Sequence, residues 1–201
     1  MDMQTRRGFL APCSLGLVMG MGVVIAPARA DIIEFTFGGN IRMVTGPSPV
    51  SVGDSFAFSY IFDSETMDID PAPNFGLYPA ISQADVVAGS FMHSASQGDI
   101  SVLDNGIAGD SYQGIFNDPL VVAGANLGQI VGAVFMNDSL PDDLDLNAFD
   151  IRDFFLQVEV GPAVWEARGR IETFRRRVIP GPGVMAVGLL GALGLGVRRR
   201  R

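Results

Sequence analysis

Carboxylates are the reactive groups that this sequence holds in quantity. Asp63, Glu65, Asp68 and Asp70 crowd one stretch, and Asp142, Asp143 and Asp145 crowd another. Hard oxygen ligands on a flexible loop suit Ca2+, which makes Asp63, Asp68 and Asp70 candidate calcium ligands. The spacing lacks the EF-hand order of ligands, glycine and closing glutamate, so the alternative is a solvated acidic loop. Two carboxylates held at the right separation can also cleave a glycosidic bond. Nothing in the spacing selects such a pair.

Other chemistry is thin. His93 is the one histidine. A Ser-His-Asp site would have to use it, and there is no Gly-x-Ser-x-Gly turn to present the serine. Zinc would lack its usual companion histidines and cysteines. His93 is expected at a strand end without a reaction role. The sequence has no lysine, which excludes a phosphate-binding glycine loop ending in Lys. The only cysteine, Cys13, lies near the N-terminus, behind Pro12 and ahead of apolar residues, which argues against lipidation. If the N-terminal segment is removed, no thiol is left for a disulfide, a thiolate metal site or a nucleophile.

Charge narrows the partners. Asp31 to Val197 holds 21 of the 22 acids but only 7 of the 14 basic residues, a net charge of −14. Such a surface repels nucleic acid and anionic lipid. It is compatible with divalent cations, and it also serves simply to keep an exported protein soluble. The mean hydropathy of +0.30 is raised by the two apolar ends.

The elements that would position any site are mostly strands. Phe56, Phe58, Tyr60 and Phe62 alternate with Ser55, Ala57, Ser59 and Ile61, which reads as a strand with an aromatic face. Ile33, Phe35 and Phe37 repeat the pattern. Further strands are expected at Val86 to Met92, Ile100 to Leu103, Ile130 to Met136, Phe154 to Val160 and Val164 to Phe174. Gly46-Pro47, Val52-Gly53-Asp54, Pro71-Ala72-Pro73-Asn74, Asp104-Asn105-Gly106 and Gly161-Pro162 mark turns between them. Many short strands with Gly/Pro turns predict an all-β, antiparallel sandwich or jelly roll over residues 31–174.

The ends read as addresses. Arg6 and Arg7 form a positive start, an apolar stretch runs from Ser14 to Pro27, and Ala28-Arg29-Ala30 fits the small-x-small cleavage rule. Residues 1–30 are therefore expected to be a signal peptide cut before Asp31. Thr5-Arg6-Arg7-Gly8-Phe9-Leu10 also resembles the twin-arginine export motif, with Ala11 where lysine is usual. Sec and twin-arginine (Tat) export both stay open.

At the other end, Val178 to Val197 carries no charge and Arg198 to Arg201 follow. Twenty helical residues reach about 30 Å, one hydrocarbon thickness. Pro180 and Pro182 confine regular helix to about residues 183–197, the expected transmembrane helix, with a basic tail at 198–201. The terminal arginines should stay cytoplasmic, leaving the domain on the far side. Ile179-Pro180-Gly181-Pro182, the Gly/Leu-rich span and the basic tail led by Arg198 and Arg199 together resemble the PEP-CTERM sorting signal of exported bacterial proteins. Gly181 stands where that family has glutamate. The resemblance covers about residues 178–201, within a sorting segment taken as 175–201. It implies an exosortase-like membrane enzyme as partner and a host that makes exopolysaccharide. Ser51-Val52-Gly53-Asp54-Ser55-Phe56, Tyr60-Ile61-Phe62-Asp63 and Trp165-Glu166-Ala167-Arg168-Gly169-Arg170-Ile171 also look like ectodomains that accompany this signal, which are mostly β-sandwiches.

The expectation is thus an exported, non-enzymatic envelope or matrix protein. Signal peptidase and a Sec or Tat translocase would handle its N-terminus. It would face the periplasm from the inner membrane, or reach the cell surface after processing. Its sandwich would be of a kind that binds carbohydrate; calcium is the only cofactor suggested. A carboxylate-dependent hydrolase of envelope polysaccharide and a purely structural surface protein are the alternatives.

Overall fold

Phe56, Phe58, Tyr60 and Phe62 point inward from one strand, while their neighbours Ser55 and Ala57 are exposed. That alternation holds through most of the chain, and it builds a wall with an apolar lining. The structure, a computed structural model, describes residues 31–105, 109–130, 134–135 and 137–179. Among these residues nine strands form: β1 (Ile32–Thr45), β2 (Ser55–Asp63), β3 (Phe75–Ala88), β4 (Phe91–Ala95), β5 (Gly98–Leu103), β6 (Ser111–Asn117), β7 (Val121–Gly128), β8 (Ile151–Val160) and β9 (Ala163–Ile179). Among the described residues a 3-10 turn, Leu146–Ala148, interrupts the loop after β7.

All pairings are antiparallel, and the strands close on themselves. β2 bonds both β1 and β3, and β9 bonds both β8 and β1. β4 and β5 lie end to end on one side of β3, paired with Ala84–Ala88 and with Phe75–Ile81 respectively. The result is an up-and-down barrel of eight staves. The expected sandwich or jelly roll is corrected to a barrel, because the β2–β3 pairing joins the sheet to itself and leaves the short β4 as its one strand with a single partner.

Two bulges on the β1–β9 seam make that closure. The register slips between Gly38 and Gly39 and again between Ile41 and Met43, which bends long strands around the barrel. Gly39 is required at the first bend: a Cβ there would stand 2.0 Å from the Arg170 carbonyl oxygen. Glu172 and Arg42, the two residues left over at these bulges, meet outside the wall at 3.5 Å, and Asn40 donates to Glu172 at 3.3 Å. Both charged side chains are well exposed, so Glu172→Gln is expected to cost less than about 1 kcal/mol in urea denaturation.

Aromatic rings fill the interior. Phe35 meets Phe62 and Phe174 at 4.9 Å each. Phe56 stacks on Phe154 at 4.1 Å. Phe35 reaches across the barrel to Tyr112 at 6.3 Å, and Phe58 reaches Phe116 at 6.0 Å. The outward side chains of β8 and β9 include Asp153, Gln157, Glu159, Glu166, Arg168 and Arg170. An outer-membrane barrel has the reverse polarity, with an apolar band facing lipid.

β9 continues past residue 174. Arg175, Arg176 and Arg177 pair with Thr36, Phe35 and Glu34, so these arginines are strand residues and the folded unit extends to Ile179. Arg177 reaches Glu34 at 3.6 Å. The expected signal peptide, and the expected span 183–197 with its tail, lie outside the described residues. Among the described residues no helix is long and apolar enough to cross a membrane.

Candidate functional site

The two ends of the barrel differ. Ile32 pairs with Ile179, so β1 starts and β9 finishes at the same end. The same end carries the long loops 64–74, 104–110 and 129–150, which contain Glu65, Asp68, Asp70, Asp104, Asp110, Asp138, Asp142, Asp143, Asp145 and Asp150. The connections 46–54, 89–90, 118–120 and 161–162, shorter taken together, close the other end.

The candidate calcium ligands lie at this long-loop end, where they are occupied with backbone. Asp63 Oδ1 accepts the Glu65 N–H at 2.9 Å. Asp68 Oδ1 accepts from Asp70 at 2.8 Å and from Leu77 at 2.9 Å, and Asp70 Oδ1 accepts from Ala72 at 2.8 Å. These are side-chain turns of the kind that Asp makes in loops. Among the described residues no three His, Cys, Asp or Glu side chains are grouped to hold a metal ion. A heat-denaturation midpoint that rises by several degrees on adding millimolar Ca2+ would identify the loop as a calcium site; a midpoint that stays within about 1 °C would argue against it.

The second acidic stretch also holds its own loop. Asp142 faces Arg176 at 3.6 Å, and its carbonyl oxygen accepts from Arg176 Nε. Asp143 and Asp145 accept the N–H groups of Leu144 and Asn147, each at 2.9 Å. Tyr78 donates to the Asp138 carbonyl at 2.6 Å. Leu144 and Phe149 are buried, so loop 129–150 folds back on the barrel end.

The residue that organises this cap is Asp110, which no spacing rule singled out. It is buried. Its Oδ2 accepts from Val134 at 2.6 Å and Phe135 at 2.7 Å, and its Oδ1 accepts from Asn105 at 3.0 Å. Its own carbonyl accepts from Gln129 at 2.9 Å. One carboxylate thus ties two loops together. Its only trace in the sequence is Gly109 before it, which takes a positive φ of 95°.

His93 sits on β4, stacked against Phe116 at 5.7 Å, with Nε2 3.6 Å from Asp118 Oδ2. It lies among strand ends at the short-turn end, away from the acidic loops.

A groove of about 590 Å³ lies on the outer wall, across β6, β7, β8, β9 and β1. The sheet register places its side chains in rows. Gln113, Asn126, Asp153 and Arg170 stand side by side on successive strands. In the next row Gly124 faces Phe155, which faces Arg168; in the third, Gln157 faces Glu166. The Phe155 ring occupies the space above Gly124, where a Cβ would come within 2.7 Å of its Cζ. The ring remains half-buried. Sequence reading did not find this groove, because its residues come from five strands and belong to no motif.

No family model, no curated protein and no solved structure matches the chain.

Proposed function

We propose that this is an exported bacterial envelope protein whose barrel works outside the inner membrane as a non-enzymatic binding or structural module. One observation carries the reading. The first described strand starts at Ile32, two residues after the Ala28-Arg29-Ala30 cleavage pattern, and it pairs with Ile179 at the end of the last described strand, directly before Pro180-Gly181-Pro182. The described barrel thus lies between two segments that read as addresses. The acidic sequence from Asp31 onward and the absence of lysine and late cysteine fit the same reading.

On this proposal Arg6 and Arg7 direct export through a Sec or Tat translocase, and signal peptidase cuts after Ala30. An exosortase-like membrane enzyme acts at the Pro180-Gly181-Pro182 segment, whose basic tail begins at Arg198 and Arg199. The barrel then faces the periplasm on its anchor, or reaches the surface after processing. Polysaccharide is the partner that the outer-wall groove favours.

Cell fractionation with intact-mass measurement tests this. The expected mature protein starts at Asp31 and is recovered from envelope or medium; its mass shows whether the segment after Ile179 is kept. Recovery of the intact 201-residue chain from cytosol would overturn the proposal. Polysaccharide turnover that vanishes on replacing Asp68 and Asp70 with the fold intact would favour a hydrolase instead.

A further inference from the structure

We propose that the outer-wall groove binds a polysaccharide chain, a step that rests on the surface role proposed above. Five neighbouring strands about 4.8 Å apart give the groove a width of about 19 Å, room for a short run of sugar units. Its chemistry matches a sugar ring. One face of such a ring is a set of C–H groups that packs on an aromatic surface, and its edge is a row of hydroxyls that both donate and accept. Phe155 supplies the aromatic surface, its half-buried ring reaching over the space that Gly124 leaves. Gln113, Asn126 and Gln157 stand around it with amides that match hydroxyls in both senses. A few convergent polar groups beside an apolar floor are what a carbohydrate site needs.

Charge narrows the ligand further. The groove gathers Arg42, Arg152, Arg168 and Arg170, four of the seven arginines found between Asp31 and Val197. Arg42 and Arg168 are engaged by Glu172 and Glu166 at 3.5 and 3.8 Å. Arg170 makes no ion pair or hydrogen bond among the described residues and stands beside Asp153 in the register. With these four arginines against Asp150, Asp153 and Glu166, the groove is less acidic than the protein as a whole, so a carboxylate-bearing chain meets less repulsion here than at the acidic loops, and a neutral chain meets none. An available guanidinium pairs with either hydroxyl or carboxylate.

The test is the mobility of the detergent-solubilised full chain in native gels cast with dextran, as a neutral polymer, or alginate, as a uronate polymer. Wild type is expected to be retarded in at least one of them, and the gel that does so distinguishes the two sugar classes. Phe155→Ala and Arg170→Ala should each weaken retardation at least tenfold. Phe155→Tyr should preserve it, as should Ser59→Ala on β2, which does not line the groove. If Phe155→Ala unfolds, Arg170→Ala and Phe155→Tyr still decide the matter. Undiminished retardation of the groove variants would overturn the groove and leave carbohydrate binding standing elsewhere on the protein. No retardation of wild type in either gel would overturn both.

Discussion

Asp110→Ala is expected to destabilise the protein by about 4 kcal/mol, because three N–H groups lose one buried, charged acceptor together. For a domain of this size that corresponds to a fall of about 10 °C in the melting midpoint. The loss should be local first. Loops 104–110 and 129–150 meet through this carboxylate, so hydrogen exchange at Val134 and Phe135 should accelerate before the barrel strands are affected. Asp110→Asn is the informative companion. Its single carbonyl oxygen can take the Val134 and Phe135 donors, but its NH2 then faces the Asn105 N–H, donor against donor. About half of the alanine loss is expected. Equal exchange rates in wild type and Asp110→Ala would show that the cap is held by its apolar contacts alone.

The second large effect concerns Tyr60 and Tyr112. Both are fully buried, and their hydroxyls hydrogen-bond each other inside the barrel. Gly114 leaves the space that the Tyr60 hydroxyl end occupies. Tyr60→Phe or Tyr112→Phe alone strands a buried hydroxyl and should cost about 1–3 kcal/mol. The double change removes both polar groups, so it should cost far less than the two single losses together, and a double-mutant cycle by urea denaturation measures the difference. Additive losses would mean that each hydroxyl finds another partner.

The same pair sets the behaviour at high pH. Burial pushes the ionisation of both tyrosines well above its ordinary value near 10, and for Tyr60 the neighbouring Tyr112 pushes it further. Below pH 10 the protonated form prevails in folded and unfolded chains alike, and the full stability is present. Above it the unfolded chain releases protons that the folded chain keeps, so stability falls by about 1.4 kcal/mol per pH unit for each tyrosine. Alkaline unfolding should therefore be steep in wild type and shallower in the double phenylalanine variant.

Some of this was legible in the chain itself. β1, β2, β5, β8 and β9 follow alternations that the residues announce, because a strand with one buried face must alternate. Val86 to Met92 reads as one strand but spans the end of β3, the Gly89-Ser90 turn and the start of β4. The described part of Ile130 to Met136 is loop: Asp110 takes the Val134 and Phe135 N–H groups that a ladder would use. β6 and β7 escaped notice. Their inward positions include Gly114, Ala123 and Ala125, and small residues carry little strand signal although they suit a wall facing crowded aromatic rings.

The acidic loops were legible as composition, and the use of their carboxylates was not. A carboxylate that caps a turn and one that binds an ion have the same residue type and similar spacing. Asp68 accepts from Leu77, the third residue of β3, a partner that only the folded loop brings near.

By itself the sequence determined the strand-rich class, the inward aromatic face and the acidic character from Asp31 onward, since these depend on local alternation and on charge. Tertiary structure alone decided that the strands close into a barrel, that Arg175, Arg176 and Arg177 belong to β9, that Asp110 clasps the cap, and that Phe155 shares a groove with side chains from five strands. Those outcomes rest on pairings between residues far apart in the chain, such as Ile32 with Ile179, whose register is set by bulges and packing rather than by any neighbouring residue.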